Sequence, residues 1–371
     1  MSVRNRCFVL LSILCVTLVA RPIRAGTGQA GVPLIHATDL YRPYNDPDDH
    51  WDLACVYALA RRGDVDLRGI VIDYPPAGPK AFSPDLIAVA QMNRIAGLSV
   101  PVAVGSPHPM KSRDDTQAYA ARSDLQGVQM ILDILRTSDQ PVLINITGSS
   151  RDVAVAGKTD SGLFAGKCAG IYLNAGTGLS DKNPSGRLEY NVTLDKTAYA
   201  AIFDLPCPVY WLPCFEGTES DGGPIVREYA SHYVFRQGEI LPNLSLPVRN
   251  YFAGMFSRNT SGDWLGALAA APDNAILAGQ GKQDRHMWCT AGFVHLAGYN
   301  VSAKGDTLRR DKAGDAGVCA FEPIQVTCGE DGVTRWQPDP GSRSRFILHV
   351  RDRANYASAM TKAMGTLLSG N

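Results

Sequence analysis

The stretch 32–60, VPLIHATDLYRPYNDPDDHWDLACVYALA, decides the fold of this chain. It begins with a short apolar run, residues 32–35, which is typical of a buried strand. It ends with residues 53–60, whose apolar side chains are typical of a helix packed on that strand. Because a strand followed by a helix is the repeating unit of parallel α/β proteins, the pattern predicts an α/β fold.

Five aspartates crowd the loop between that strand and that helix: Asp39, Asp46, Asp48, Asp49 and Asp52. Carboxylates this close repel one another unless a cation or water screens them. Ca²⁺ takes roughly six to eight oxygen ligands, mostly carboxylates, carbonyls and water. A loop after a parallel strand is also where such sheets place their ligands. The loop therefore predicts a calcium site, and a solvated acidic loop with a helix cap is the alternative.

The same stretch resembles the N-terminal signature of the inosine-uridine preferring nucleoside hydrolases, D-x-D-x-G-x-D-D-A at the end of the first strand. Asp39 lies at the strand end, as the first aspartate of the signature does. Counting back from residues 64–71, which resemble the start of the family's second strand, places Asp52 on the last aspartate. Trp51 then stands at the penultimate place, which a neighbouring aspartate can take instead.

The overall charge is balanced, with 36 basic and 36 acidic side chains among 371 residues. A neutral balance lacks the basic footprint of proteins that bind nucleic acid or anionic membranes, so neither partner is expected for the mature chain. The length accommodates one large α/β domain or two. Because the family resemblance spans most of residues 34–368, we expect a single nucleoside-hydrolase-like domain over residues 26–371.

The first 25 residues have the pattern of a targeting segment. Arg4 and Arg6 precede the apolar run 7–20, CFVLLSILCVTLVA, which is too short for a comfortable membrane span. The pattern predicts a signal peptide over residues 1–25 and a secreted or periplasmic protein. An uncleaved membrane anchor is the alternative.

Export would place the cysteines in an oxidising compartment, where disulfides are permitted. Two of the nine cysteines fall in the targeting segment. Among the others, Cys207 with Cys214 and Cys319 with Cys328 are the pairs closest in sequence. Spacing alone does not fix their connectivity, and buried free thiols are equally compatible with the sequence.

A second motif occupies residues 183–191, NPSGRLEYN. It is similar to the family's G-N-x-x-x-x-A-E-F-N segment, with the same spacing between Asn183, Glu189 and Asn191. In the family these side chains bind ribose hydroxyls. Amides and a carboxylate suit a vicinal diol because it needs both donors and acceptors. The alternative is a polar surface loop.

The strand predicted at residues 141–147 runs into a glycine turn, Gly148-Ser149-Ser150. The junction resembles the family's T-G-G-L-T-N-I-A turn, in which the carbonyl at the Thr147 position joins the calcium shell. A strand end exposes carbonyl groups that no helix satisfies, and calcium accepts them. Capping of the next helix by one of the two serines is compatible with that role.

The segment 283–291, QDRHMWCTA, is predicted to begin a helix that in the family starts with His-Asp. His286 fits the histidine, which lies near the leaving base. Met287 stands where the aspartate would close the metal shell, and a thioether is a poor calcium ligand. The chain also lacks the family's H-G-x-x-G-L motif.

The resemblance implies an open, mostly parallel, Rossmann-like sheet flanked by helices, and calcium-dependent hydrolysis of the N-glycosidic bond of a ribonucleoside. The implied metal ligands are Asp39, Asp49, Asp52 and the Thr147 carbonyl. The implied catalytic residues are Asp39 or Asp48 as the base for water and His286 beside the leaving group. Asn183, Glu189 and Asn191 would bind the sugar. The partner is thus a small nucleoside or ribosyl compound, and a homo-oligomer is possible because family members often form one.

Two other functions stay open. The departures at Trp51 and Met287 favour a calcium-containing protein that binds a sugar or nucleoside without turnover, since a fold does not guarantee an activity. A metal-dependent phosphoesterase ranks last, because the chain shows no glycine-rich phosphate loop and no lysine or arginine cluster.

Overall fold

The computed structural model describes residues 31–44, 47–77, 81–178, 186–257, 262–313 and 317–370. The predicted signal peptide, Asp46 and Asn183 lie outside these ranges. None of the helices within them is both long enough and apolar enough to cross a lipid bilayer.

A nine-stranded sheet forms the centre of the molecule. From one edge to the other its strands are β14 (Thr334–Pro338), β13 (Cys319–Cys328), β15 (Arg345–Val350), β8 (Val209–Leu212), β7 (Cys168–Asn174), β6 (Val142–Ile146), β1 (Val32–Thr38), β3 (Val65–Ile72) and β5 (Val102–Val104). Neighbours from β15 to β5 pair in parallel, whereas β13 is antiparallel to both of its neighbours. The predicted open, mostly parallel α/β sheet is confirmed.

Helices cover both faces of this sheet. One face packs against α1 (Asp48–Arg62), α2 (Leu86–Ala96), α8 (Leu246–Ser257), α10 (Thr290–Leu296) and α12 (Arg353–Ser369). The other packs against α3 (Gln126–Thr137), α4 (Arg151–Thr159), α5 (Ser161–Lys167) and α7 (Lys196–Ile202). Successive strand residues alternate between the two cores, as Leu34 and Ile35 do, because side chains of a strand point to opposite faces.

The remaining elements are short. Three two-stranded sheets pair β2 (Tyr41–Arg42) with β4 (Ser83–Pro84), β9 (Tyr233–Arg236) with β10 (Asp284–Met287), and β11 (Tyr299–Val301) with β12 (Thr307–Arg309). The other helices are α6 (Tyr190–Leu194), α9 (Asn274–Gly281) and α11 (Arg310–Ala313).

Helix α1 shows how the opening stretch folds. Asp48 and Asp49 lie in its first turn, where carboxylates are favourable beside the positive end of the helix dipole. Trp51, the fourth residue of the helix, is fully buried and stacks on Phe252 with ring centroids 4.2 Å apart. The helix ends at Gly63, whose φ of 78° is the left-handed conformation that glycine adopts without strain.

The segment 283–291 differs from its prediction. Residues 284–287 form strand β10, antiparallel to β9 with Met287 opposite Tyr233, and the helix begins only at Thr290. A helix start before Thr290 was therefore wrong, because pairing with β9 satisfies the backbone of this segment. Met287 is fully buried in the core. Because the helix begins at Thr290, the residues directly before it are Trp288 and Cys289, and not His286 and Met287.

The described cysteines are free thiols. Cys319 and Cys328 are the two ends of β13, and Cys207 and Cys214 flank β8. A strand rises about 3.3 Å per residue, whereas a disulfide needs Cα atoms within about 7 Å. The pairs that are close in sequence therefore cannot bond. A hydrogen bond with Cys207, together with burial, instead raises the pKa of the Cys168 thiol well above its usual value.

Candidate functional site

A cavity of about 440 Å³ opens at the carboxyl edge of the parallel strands. The described residues that line it are Asp39, Asp48, Asp49, Thr147, Asn174, Glu189, Tyr190, Asn191, Cys214, Phe215, Trp288 and Cys289. We call the group Asp39, Asp48, Asp49, Thr147, Asn174, Glu189 and Asn191 the polar wall, and the group Tyr190, Phe215 and Trp288 the aromatic wall. The volume lies in the range of small-molecule sites, roughly 300–1,000 Å³.

The parallel register of the sheet assembles the polar wall. Thr38 pairs with Ile72, Ala37 with Ile146, and Ile146 with Leu173, so β1, β3, β6 and β7 end at the same level. The residues that end or follow these strands, Asp39, Asp73, Thr147 and Asn174, therefore meet at one edge. The first turn of α1 adds Asp48 and Asp49.

The polar wall is strongly negative. Asp39, Asp48 and Asp49 are each less than a tenth exposed, and Glu189 adds a fourth carboxylate to the lining. The described lining contains no lysine or arginine. The Thr38 hydroxyl donates to Asp49 Oδ1 at 3.5 Å, which helps to orient that carboxylate. A buried concentration of carboxylates favours a cationic ligand or a cationic reaction intermediate.

Asp73, which the sequence reading did not single out, lies directly behind this wall at the end of β3. The backbone N–H of Ser149 donates to Asp73 Oδ2, and Oδ1 has no hydrogen-bond partner within the described part of the chain. Burial, and then the charge of Asp39, raise the pKa of Asp73 well above its usual value. Gly148 lets the turn after β6 lie close against Asp39, because a Cβ at this position would come within 2.6 Å of the Asp39 backbone nitrogen.

The oxygen groups of the polar wall fit a hard cation such as Ca²⁺ in their chemistry. Asp39, Asp49 and the Thr147 carbonyl, which line the cavity together, are the oxygen groups that could hold such an ion. The Thr147 carbonyl accepts one hydrogen bond, from Asn191 Nδ2 at 3.2 Å, and a carbonyl has a second lone pair. Within the described ranges, no three His, Cys, Asp or Glu side chains are grouped so as to hold a metal ion.

Glu189 and Asn191 are held by the backbone around them. The Glu189 carboxylate accepts from the backbone N–H groups of Gly176, Asn191 and Val192 at 2.8, 2.9 and 3.4 Å, which caps α6. Burial raises the pKa of Glu189 to about 7, although these three hydrogen bonds oppose the rise. Asn191 Nδ2 donates to the carbonyls of Thr147 and Asn174, so its Oδ1 is the atom left to contact a ligand.

The aromatic wall is the other part of the lining: Phe215 and Trp288 lie in loops, and Tyr190 is the first residue of α6. Phe215 and Trp288 are half-buried and meet edge to face, with ring centroids 6.1 Å apart. Behind Trp288, His232 Nε2 and His286 Nδ1 share a hydrogen bond of 2.9 Å. Burial, and then the charge of His286, lower the pKa of His232 to about 4.

The structure brings most of the predicted site residues together. Asp39, Asp48, Asp49, Thr147, Glu189 and Asn191 line one cavity, and their roles stay predictions. Asp52 is not in the described lining: it is almost completely buried, and its charge acts on the neighbouring Cys289 thiol. His286 is exposed and also lies outside that lining. Trp51, counted onto an aspartate position, is a core residue.

Other lining residues were not found from the sequence. Asn174 ends an apolar strand, as Asp39 does, so the same signal of a polar residue after a buried strand could have identified it. Trp288 and Cys289 were hidden because a helix was expected to run through them. Phe215 and Cys214 lie in a loop whose path the sequence does not specify.

Comparisons with solved structures identify the fold. The purine-preferring ribonucleoside hydrolase from Gardnerella vaginalis superposes with a TM-score of 0.56 at 14% identity, covering 91% of this chain and 100% of that chain. A plant nucleoside hydrolase gives 0.48 at 14% identity, covering 90% and 99%. The inosine-uridine preferring nucleoside hydrolase from Bacillus anthracis gives 0.44 at 12% identity, covering 91% and 99%. No protein-family model and no curated protein sequence matches the chain. On the first of these superpositions, the chain has the fold of the nucleoside hydrolases.

Proposed function

We propose that the protein hydrolyses the N-glycosidic bond of a ribonucleoside, releasing the base and ribose, and that it requires calcium. One observation carries the proposal: a single cavity joins a wall of buried carboxylates to a wall of aromatic rings. Such a cavity suits a ligand with a polyhydroxylated half and a flat half, and the scaffold is that of the nucleoside hydrolases.

The carboxylates of the polar wall would act on the water and on the sugar. Asp39, Asp49 and the Thr147 carbonyl would hold Ca²⁺, which when bound lowers the pKa of a coordinated water. Asp48 would accept the proton of the attacking water. N-glycosidic cleavage passes through an oxocarbenium-like transition state, and the surrounding negative charge stabilises the positive charge that develops on the sugar.

The rest of the cavity would bind and orient the two halves of the substrate. Glu189 and Asn191 would hydrogen-bond the ribose hydroxyls, with Asn183 beside them in the motif. Phe215 and Trp288 would stack on the base. The described lining contains no histidine, so the departing base would take its proton from water at the mouth of the cavity.

A calcium-containing protein that binds a sugar or nucleoside without turnover is the second proposal. It is favoured by the two residues directly before α10, Trp288 and Cys289, which are not the histidine and aspartate with which the family's helix starts. A thiol is a weaker ligand for calcium than a carboxylate, so the ion could serve to stabilise the scaffold alone.

Incubating the purified mature protein with a panel of ribonucleosides, in calcium and in chelator, separates these proposals. Hydrolysis predicts reducing sugar and free base that chelator abolishes. Intact nucleoside recovered from a stable complex supports the binding protein. If calcium changes neither turnover, binding nor thermal stability, both proposals fail.

Export and assembly remain part of this proposal. Residues 1–25 would direct the chain to the periplasm or the exterior, which cell fractionation and N-terminal sequencing of the mature protein would test. A homo-oligomer would be visible by light scattering.

A further inference from the structure

Asn174, at the end of β7, has a buried acceptor atom that the proposed chemistry does not use. The residue is fully buried and lines the cavity. Its amide nitrogen donates to the Ile146 carbonyl at 2.8 Å and to Asn145 Oδ1 at 3.2 Å. Its Oδ1 has no hydrogen-bond partner within the described part of the chain.

The orientation of this amide is fixed by its neighbours. The Ile146 carbonyl can only accept, so the nitrogen of Asn174 must face it. Asn145 is fixed in turn, because its Nδ2 donates to His36 Nδ1 at 3.1 Å and its Oδ1 accepts from Asn174. Burial lowers the pKa of His36 to about 3, so the ring is neutral and Nδ1 can accept.

This chain of three residues crosses the neighbouring strands β1, β6 and β7. It ends at Asn174, a residue of the cavity lining whose Oδ1 is buried and has no donor within the described part of the chain. Turning the Asn174 amide would bring its Oδ1 against two acceptors, the Ile146 carbonyl and Asn145 Oδ1, so Asn174 cannot offer its N–H₂ group instead. A buried acceptor without a donor is unfavourable. A ligand that brings an O–H or N–H group to Oδ1 removes that penalty.

Asn174 lies beside the residues that would bind the sugar half of the ligand. Asn191 donates to the backbone carbonyls of both Asn174 and Thr147, so the three residues form one patch of the polar wall. Phe215 and Trp288, which would stack on the base, belong to loops elsewhere in the same lining.

We propose that Asn174 Oδ1 accepts a hydrogen bond from one sugar hydroxyl, and that Asn174 thereby selects ribosides over the analogue that lacks this hydroxyl. The inference deepens the proposed function and rests on it. It makes Asn174 a substrate-binding residue.

The test measures calorimetric binding in calcium of a ribonucleoside and of its 2′-, 3′- and 5′-deoxy analogues, to the wild type and to Asn174→Leu. We expect the wild type to bind one deoxy analogue about 10- to 100-fold more weakly than the ribonucleoside. In Asn174→Leu that ratio should fall to near one, because the variant keeps the side-chain size but lacks the acceptor. Equal ratios in wild type and variant would overturn the inference.

Asn145→Leu is the matched control. It removes a buried amide from the same chain of hydrogen bonds but leaves the acceptor on Asn174. It should lower thermal stability as much as Asn174→Leu does, yet keep a preference for the same hydroxyl. If Asn174→Leu does not fold, Asn174→Ala, which removes the same acceptor with a smaller side chain, takes its place in the comparison.

Binding and turnover are read separately, so the two proposals can fail independently. Selective binding without release of sugar overturns hydrolysis and supports the role of Asn174. Release of sugar with no hydroxyl selectivity supports hydrolysis and overturns that role. If Asn174→Leu loses its thermal stabilisation by calcium but keeps its hydroxyl selectivity, Oδ1 binds the cation and not the sugar. That result would also overturn the role of Asn174 in sugar binding.

Discussion

The two walls of the cavity are built in different ways. The polar wall consists of strand ends and a helix start, and Asp39, Asp49 and Asn174 are almost completely buried there. In the aromatic wall, Phe215 and Trp288 lie in loops and are half-buried, and Tyr190, the first residue of α6, is 43% exposed. Groups on strands and helices are held more closely than groups on loops. In the proposed function, the polar wall would therefore carry the chemistry and the aromatic wall the choice of base.

Asp49→Asn tests the polar wall with the largest expected effect. The amide keeps the shape of the side chain but removes a charge from the proposed metal ligands, so calcium binding and activity should fall together. We expect kcat/KM to drop roughly 1,000-fold, with the loss of calcium stabilisation visible in thermal unfolding.

Asp52→Asn is its control, because Asp52 lies three residues further along α1 and outside the described lining. The variant should keep both the calcium response and most of the activity. If Asp52→Asn loses calcium binding and Asp49→Asn keeps it, Asp52 and not Asp49 is the metal ligand, as counting along the family signature placed it.

Trp288→Ala tests the aromatic wall. Stacking on an aromatic ring contributes about 1–3 kcal/mol per base, so KM for a nucleoside should rise roughly 10- to 100-fold while the calcium response stays unchanged. Trp264→Ala, which removes a half-buried tryptophan outside the described lining, should leave KM as it is. If Trp288→Ala abolished calcium binding instead, the two walls would not be separate in function.

His36 supports the polar wall from within the sheet, and its burial predicts a pH dependence of stability. Its pKa is about 3 in the fold and near 6.5 in the unfolded chain, so below 6.5 the unfolded state binds more protons. Stability from this group is therefore complete above pH 6.5 and is lost as pH falls toward 3, by at most about 1.4 kcal/mol per pH unit.

Urea unfolding of the metal-free protein between pH 7 and pH 5 measures this slope. The variant His36→Asn cannot titrate, so its stability should fall less over the same interval. An equal slope in both proteins would show that His36 is not the group that titrates.

His286→Gln carries the smallest expected effect. Because His286 is exposed and shares its Nδ1 with His232, we expect a change of less than about tenfold in kcat/KM. A loss of 100-fold or more, largest for substrates with poor leaving bases, would show that this histidine reaches the base after all.

The sequence predicts the sheet well because its buried strands are continuous apolar runs, as at residues 141–147 and 170–174. It also identifies polar residues that end such strands, which gives Asp39 and Thr147. It is less informative about the start of α1. The loop before this helix is longer than in the family signature, so matching residues by counting assigned Asp52 to the site. Asp52 is one helical turn, about 5 Å, beyond Asp49 and is buried beside Cys289 rather than in the cavity lining.

The aromatic wall is the part that local sequence patterns do not reveal. Trp288 reaches the cavity only because residues 284–287 pair with a strand that lies some fifty residues earlier, and periodicity within one segment carries no trace of that pairing. Asn174 is intermediate. Its position after an apolar strand is visible, but the fixed direction of its amide depends on Ile146 and Asn145 from the adjacent strand.

The hydrogen-bonded chain from His36 to Asn174 also bears on how the protein could be redesigned. In the proposed function, the side chains of Phe215 and Trp288 could be exchanged to change which base is accepted, because neither residue belongs to the nine-stranded sheet. The sugar side could not be transplanted in the same way. Moving Asn174 into another scaffold would require the two strands that orient it, so selectivity for the sugar would be inherited with the core, whereas selectivity for the base would be free to change.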